Sequence, residues 1–401
     1  MKAWPKVALG ELLRDASEPV RVQQDTNYPN FGIYSFGRGL FAKAPISGMQ
    51  TSAGTLYRVC AGNFVYSRLF AFEGSYGLVD SEFDGHFTSN EYPSFSIDRS
   101  RLEPGFLKAY FQFPRVWQEI AMGSKGVGSR RIRVQPDKVL IHRIPLPPLH
   151  EQQALVVRLD ALAEKARQVE AHLDAVERDA EHLLALRFRD VIADAPLRPM
   201  AEVAPLVRRE QSIDLKGSYP ELGIRSFGKG TFHKPPLSGG DVGTKRLYRI
   251  EPGDLLFSNV FAWERAIAIA QPEDSGRFGS HRFITCKADP ELTTAAFLRY
   301  YFLTDEGMLK IDEASPGGAG RNRTLGIDKL MAIEVPMPPL AAQQTFDRLQ
   351  ADVNALKAKH AAIRQANASL IPATLERVFS APAKGPSSFR VETNGDNRWW
   401  S

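Results

Sequence analysis

The chain contains its own sequence twice, and that repeat limits what it can fold into more than any other feature. Ser35-Phe36-Gly37-Arg38-Gly39 returns as Ser226-Phe227-Gly228-Lys229-Gly230, an offset of 191 from Phe36 to Phe227. At the same offset Leu56-Tyr57-Arg58 meets Leu247-Tyr248-Arg249, Ser67 meets Ser258, and Phe70-Ala71 meets Phe261-Ala262. Phe106-Leu107 then meets Phe297-Leu298, and Pro145-Leu146-Pro147-Pro148-Leu149 meets Pro336-Met337-Pro338-Pro339-Leu340. A period this long is not that of a solenoid, whose units run about 20–50 residues, so it predicts two homologous domains.

Within each copy, short alternating runs such as Thr55 to Val59 and Leu247 to Ile250 are broken by Gly, Pro, Asn and Asp. They predict strands joined by long loops. One helix per copy is expected, over Pro104 to Glu119 and over Thr293 to Leu309. Each copy is therefore a mixed α and β globule, and the fold class is α+β.

After each proline-rich exit the periodicity changes to a heptad seam of Leu155, Leu159, Leu162, Val169, Leu173, Val176 and Leu183. The second copy offers Phe346, Leu349, Val353, Leu356, Ile363 and Leu370. The prolines lack amide donors, so the first helix should begin near Leu149 or Glu151 and reach about Ile192; the second should end near Phe379. Neither rod can bury its seam alone. An antiparallel two-helix coiled coil separating the two globules, with pseudo-twofold symmetry, is the expected arrangement, and His360 and Asn367 at seam positions are candidates for fixing its register. The expected division is 1–148 and 194–339 for the globules, 149–193 and 340–380 for the helices, and 381–401 for a flexible tail.

Charge narrows the function only slightly. Fifty-one Lys and Arg against 46 Asp and Glu leave +5, which permits an acidic partner without naming one. Two cysteines, Cys60 and Cys286, match no disulfide framework or zinc spacing, and no apolar stretch long enough for a membrane span occurs. A reduced, cytoplasmic setting is expected. There is no Asn-Pro-Pro-Tyr-type methylation motif and no Gly-x-x-x-x-Gly-Lys-[Ser/Thr] loop. Asp214-Leu215-Lys216 matches only the tail of a nuclease signature, too short to carry weight.

Two matched modules on a spacer suit a ligand that itself repeats, and DNA is the obvious one. Basic residues, with Ser129 and Asn322 interleaved, sit beside glycines and aromatics at matching places in both copies. In the first these are Arg38, Lys43, Lys125, Ser129, Arg130 and Arg131; in the second, Lys229, Lys234, Arg321, Asn322 and Arg323. Polar character differs at three equivalent pairs: Arg68 against Asn259, Asn90 against His281, and Glu91 against Arg282. Since Arg suits guanine and Asn adenine, these pairs are candidates for reading different bases. Glu73 and Glu264 either accept from cytosine N4 or brace a loop by pairing with a nearby Arg, and the structural role is preferred. Phe36, Phe227, Phe70 and Phe261, repeated in both copies, are read as core residues.

This organisation resembles the specificity subunit of type I restriction-modification systems, HsdS, over nearly the whole chain. The resemblance rests on the duplicated Ser-Phe-Gly-[Arg/Lys]-Gly and Phe-Ala-[Phe/Trp]-Glu segments, and on the exits Ile144-Pro145-Leu146-Pro147-Pro148-Leu149-His150-Glu151-Gln152-Gln153 and Val335-Pro336-Met337-Pro338-Pro339-Leu340-Ala341-Ala342-Gln343-Gln344, each leading into a long helix. Ala342 departs from the expected glutamate, which weakens only a local capping contact. The resemblance implies two target recognition domains that each read half of a bipartite, asymmetric DNA site, with helices that space them and dock two methyltransferase (M) subunits. Through these it implies motor/nuclease (R) subunits. The chain itself is then non-catalytic and carries no cofactor, S-adenosylmethionine being held by the M subunits. A duplicated coiled-coil scaffold that binds proteins is the competing reading.

If the helices act as a ruler, four residues inserted near Ala175 lengthen the spacer by about 6 Å, close to two base pairs of B-DNA at ~3.4 Å each. The unread gap between half-sites should then widen by about one or two base pairs, which sequencing of methylated sites would detect. An unchanged gap in a folded insertion variant removes the ruler.

Overall fold

The computed structural model describes residues 4–122, 133–317 and 323–380. They form two compact units. One runs as far as His172 and resumes from Ala362; the other is Leu173–Ala361. Both cuts fall inside the two long helices, Leu149–Ile192 and Leu340–Phe379, rather than at the proline exits. The reason is packing: each unit holds one globule, the first half of that globule's own helix and the last half of the other helix. No helix among the described residues is long and apolar enough to cross a membrane.

In the first unit, Leu13–Asp15, Ser94–Ile97, Phe64–Tyr66 and Tyr76–Leu78 make a four-stranded sheet in that order. A second sheet runs Glu18–Arg21, Thr55–Arg58, Phe87–Thr88, Asn27–Ile33 and Leu40–Ser47. The other unit repeats both at the same offset, down to the register: Asn30 opposite Phe87 becomes Glu221 opposite Phe278, both parallel. Its two edge strands shrink to isolated bridges, Leu206 with Cys286 and Glu210 with Tyr248, where the first unit pairs Asp15 with Phe95 and Pro19 with Tyr57.

Each predicted helix is in fact two. Pro104–Phe111 and Pro114–Ala121 are separated because Pro114 forbids helical backbone at Phe113. In the other unit Ala295–Leu303 ends and Asp305–Glu313 begins at Thr304, whose side-chain oxygen accepts from the Gly307 amide at 3.2 Å. The first helix of each pair supplies a matching core set, Phe106, Leu107, Tyr110 and Phe111 against Phe297, Leu298, Tyr301 and Phe302, all buried.

A buried glutamine fastens each globule to its long helix. Gln152, fully buried, donates to the Pro147 and Arg101 carbonyls at 2.8 and 2.9 Å and accepts from the Glu103 amide at 2.9 Å. Gln343, also fully buried, donates to Pro338 and Leu292 at 2.8 and 3.0 Å and accepts from the Thr293 hydroxyl at 2.8 Å and the Thr294 amide at 3.3 Å. Proline leaves carbonyls without the ladder partners a regular strand would supply, and the amide satisfies them. The glutamate beside the first glutamine has its own partner: Glu151 accepts from the Trp4 indole at 3.1 Å. In the second copy both positions are alanine, Ala195 and Ala342.

The helices pair antiparallel within each unit. In the first, Leu159 packs with Leu375, the Asn367 side chain donates to the Ala166 carbonyl at 2.9 Å, and Arg364 donates to Glu170 at 2.6 Å. In the second, Leu184, Phe188, Phe346 and Val353 share one core, with His360 against Glu177 at 2.9 Å and Lys357 against Glu181 at 2.7 Å. His360 and Asn367 are thus paired seam residues.

The heptad seam is corrected in its later part. Leu155, Leu162, Val176, Leu349 and Leu356 are half-buried, and Leu159, Leu173, Phe346 and Val353 buried. Val169, Leu183, Ile363 and Leu370 instead face solvent, 39 to 44% exposed. The inward residues of the second helix run Val353, Leu356, His360, Arg364, Asn367, Ile371 and Leu375. Val353 to Arg364 and Arg364 to Leu375 are each eleven residues, and Leu173 to Leu184 repeats the spacing on the first helix. An eleven-residue repeat averages about 3.67 residues per turn and drifts away from a heptad by one position per few turns. Polar Arg364 and Asn367 therefore turn inward while Ile363 and Leu370 turn out.

Gln152→Leu and Gln343→Leu leave buried carbonyls and amides unpaired. Each should lower stability by about 2–4 kcal/mol in denaturant unfolding, whereas the neighbouring exposed Gln153→Leu should change it little.

Candidate nucleic-acid interface

The loop after strand Phe64–Tyr66 and the loop after strand Phe87–Thr88 belong to different sheets, yet backbone hydrogen bonds bring them together. The Arg68 amide donates to the Glu91 carbonyl at 2.9 Å, and the Val134 amide donates to the Arg68 carbonyl at 2.9 Å. The second unit repeats this frame: the Asn259 amide donates to Arg282 at 2.9 Å and the Leu325 amide to Asn259 at 2.7 Å. Three segments distant in sequence thus converge on one surface in each unit. The third is the end of the glycine-rich basic segment.

The side chains on this shared frame differ. In the first unit the Arg68 guanidinium donates to the Asn90 carbonyl at 3.4 Å and to Gln135, and Arg133 donates to Glu91 at 2.7 Å. Asn90 is exposed and Glu91 half-buried. In the second unit His281 and Arg282 are exposed, Asn259 is half-buried, and Arg323 lies 3.4 Å from Asp312 and 6.0 Å from the Trp263 ring. Arg133 closes the basic cluster that begins at Lys125, a cluster the sequence already marked for DNA contact, whereas Gln135 was not among the candidates and its only signal was adjacency to that cluster. Lys125, Ser129, Arg130, Arg131, Arg321 and Asn322 lie outside the described residues.

A second loop borders this surface. The hairpin from Asn27–Ile33 to Leu40–Ser47 turns through Ser35 to Gly39, and its copy turns through Ser226 to Gly230. Phe36 and Gly37 both have φ of 65°, and Phe227 and Gly228 have 62° and 65°. Two successive left-handed residues suit a tight hairpin, but a phenylalanine there costs about 1–2 kcal/mol that a glycine would not. The same bonds hold the turn in both units. The Phe36 amide donates to the Glu73 carbonyl and Gly37 to Gly74, both at 2.8 Å; Phe227 donates to Glu264 and Gly228 to Arg265, also at 2.8 Å. The Glu73 carboxylate accepts from the Ser35 hydroxyl at 3.1 Å and Glu264 from Ser226 at 3.0 Å. Both glutamates therefore brace this turn, with a serine rather than an arginine as partner.

The four repeated phenylalanines are not core residues. Phe36 and Phe227 are 63 and 70% exposed, and Phe70 and Phe261, on the bracing turn, 49 and 43%. The positive φ aims the first pair outward, and the Phe36 ring lies tilted beside Trp117, with ring centroids 6.2 Å apart. Arg38 sits over Tyr34 at 5.0 Å and Phe36 at 5.9 Å, and Lys229 over Phe227 at 5.7 Å. Lys43, exposed, lies opposite Asn30 on the outer hairpin; Lys234, half-buried, occupies the equivalent strand. Asp214 belongs to a turn, where it accepts from the Lys216 amide at 3.0 Å. Burial pushes the Cys286 thiol up to about 12, so it is unreactive.

Phe36→Gly removes backbone strain at the cost of a ring that is already 63% exposed. Its melting temperature should equal or exceed that of the native chain, by up to about 1 kcal/mol of stability. Glu73→Ala, which unpins the turn, should lower stability by about 1 kcal/mol.

No family model matches the chain, and no curated protein does. Solved structures do. The HsdS subunit from Thermoanaerobacter tengcongensis superposes with a TM-score of 0.63 at 21% identity, covering 94% of this chain and 97% of that one. A chain from a structure on complex assembly and conformational transition of the type I R-M system reaches 0.68 at 21% identity, covering 94% and 98%. At these identities the likeness is one of fold, and it gives this chain the architecture of an HsdS subunit.

Proposed function

We propose that the chain is the DNA-specificity subunit of a type I restriction-modification complex. Each globule reads half of a bipartite, asymmetric site, and the long helices dock two M subunits and, through them, R subunits. The chain performs no chemistry itself; methyl transfer belongs to the M subunits and their S-adenosylmethionine.

One observation carries this reading beyond the fold. Two units with the same backbone frame present different polar side chains at equivalent places: Arg68 and Asn259, Asn90 and His281, Glu91 and Arg282. Packing needs no such difference, whereas reading two unlike half-sites does. Among the described residues, Arg68 Nε, Glu91 Oε2 and Asn259 Oδ1 are buried without a hydrogen-bond partner, as are Tyr76 Oη and Thr88 Oγ1. The basic segments ending at Arg133 and Arg323 adjoin them and would meet phosphates.

Methylated adenines mapped in the host genome, with and without this gene, test the reading. Two short motifs a fixed distance apart should lose modification on deletion; an unchanged methylation map sinks the proposal. Arg68→Ala should relax one position of one half-site, by about 1–3 kcal/mol of discrimination, seen as methylation of single-base variants of the native site. Binding should also weaken steeply with added salt. A protein-binding scaffold with an apolar interface would not show this.

A further inference from the structure

We infer that Phe36 and Phe227 are paired, sequence-independent contacts to the DNA duplex, each ring pressed against the sugar and base-step surface while Arg38 or Lys229 meets the adjoining phosphate. The inference rests on the proposed DNA-reading function and says how the two domains grip any duplex before they read it.

Four observations converge. Each ring is exposed and held in a left-handed backbone that packing does not require. Strain kept in the absence of burial marks a group positioned for use. The bracing is the same in both units, from the serine hydroxyl on the glutamate to the two backbone bonds behind the ring. The brace is also the turn that begins just after Arg68 and Asn259, so the knuckle borders the surface where the two units differ.

The two units differ in their polar side chains but share the phenylalanine. A residue reading one base would differ between half-sites, as Arg68 and Asn259 do. A shared ring suits the part of the duplex that does not vary, and apolar side chains set against or between base steps act in that way. The flanking cation supports the same assignment. Arg38 becomes Lys229, and the two share a positive charge but not the planar guanidinium fork, so what both copies keep is a charge rather than a geometry. That is the requirement of phosphate.

The test uses the full chain co-expressed with its host methyltransferase subunit, with Phe36→Gly, Phe227→Gly and Arg38→Ala. Glycine tolerates the left-handed backbone, so the first two variants should fold. Affinity is measured by fluorescence anisotropy on the native methylated site and on an unrelated duplex over a range of salt. Each glycine variant should weaken both duplexes by the same factor, about tenfold, leaving their ratio and the salt slope unchanged. Arg38→Ala should reduce the salt slope by about 1. Unchanged affinity, or weakening confined to the native site, overturns the inference. So does loss of the methyltransferase subunit from Phe36→Gly at intact DNA affinity, which would make the ring a protein contact. If the native complex binds neither duplex and methylates no bipartite site, the functional reading itself has failed.

Discussion

The buried glutamine at each exit is the contact on which the arrangement of this chain depends. A proline-rich segment cannot hand its carbonyls to a sheet ladder, and a long helix cannot orient itself on a globule through one leading turn. Gln152 and Gln343 solve both problems with one side chain, taking two carbonyls and offering an oxygen to the amide that begins the globule's own helical layer. The partners Arg101, Glu103 and Pro147 correspond by position to Leu292, Thr294 and Pro338. Because the partners common to both latches are backbone groups, the latch survives change of the side chains around it, and the Thr293 hydroxyl adds a bond in the second copy only.

A second device closes each unit from the far end of the other helix. Phe188, near the end of the first helix, packs against Phe297, Tyr300 and Phe346 at centroid distances of 5.3, 4.8 and 5.2 Å. Phe379, at the end of the second, packs against Phe106 and Tyr110 at 5.6 and 5.1 Å. The two are equivalent by the repeat. Between latch and plug the helices pair through an eleven-residue repeat whose inward positions include Glu177 with His360 and Glu170 with Arg364. Paired polar groups at such positions favour one register more than they add stability, since desolvation offsets much of the attraction.

On this frame the loops divide their work. The backbone of the reading surface is common to both units, as is the strained aromatic turn beside it, whereas the polar side chains at its centre are not. Glu73 and Glu264 belong to the common part: their carboxylates are occupied by serine hydroxyls and support the turn rather than facing outward for a base. Variation is confined to side chains whose change leaves the frame intact.

Much of this was legible in the sequence. The repeat determined two like α+β domains, the prolines determined where the long helices begin, and apolar spacing showed that those helices must be buried against something. These are local or periodic properties, set by backbone chemistry and side-chain spacing. Equivalence of Phe188 and Phe379 was readable from the offset as well, but only packing reveals that equivalent residues plug different domains. What the tertiary structure alone decided was direction. Phe36, Phe70 and their copies look like core residues by composition and lie outside: a positive φ and a tight brace aim Phe36 and Phe227 there, and Phe70 and Phe261 sit on the bracing turn itself. Ile363 and Leu370 look like seam residues and face solvent because an eleven-residue repeat, not a heptad, sets the helix phase. Convergence of Arg68, Glu91 and Arg133 on one surface depends on hydrogen bonds between segments from different sheets. Contacts over such sequence distances leave no spacing for a linear reading to find.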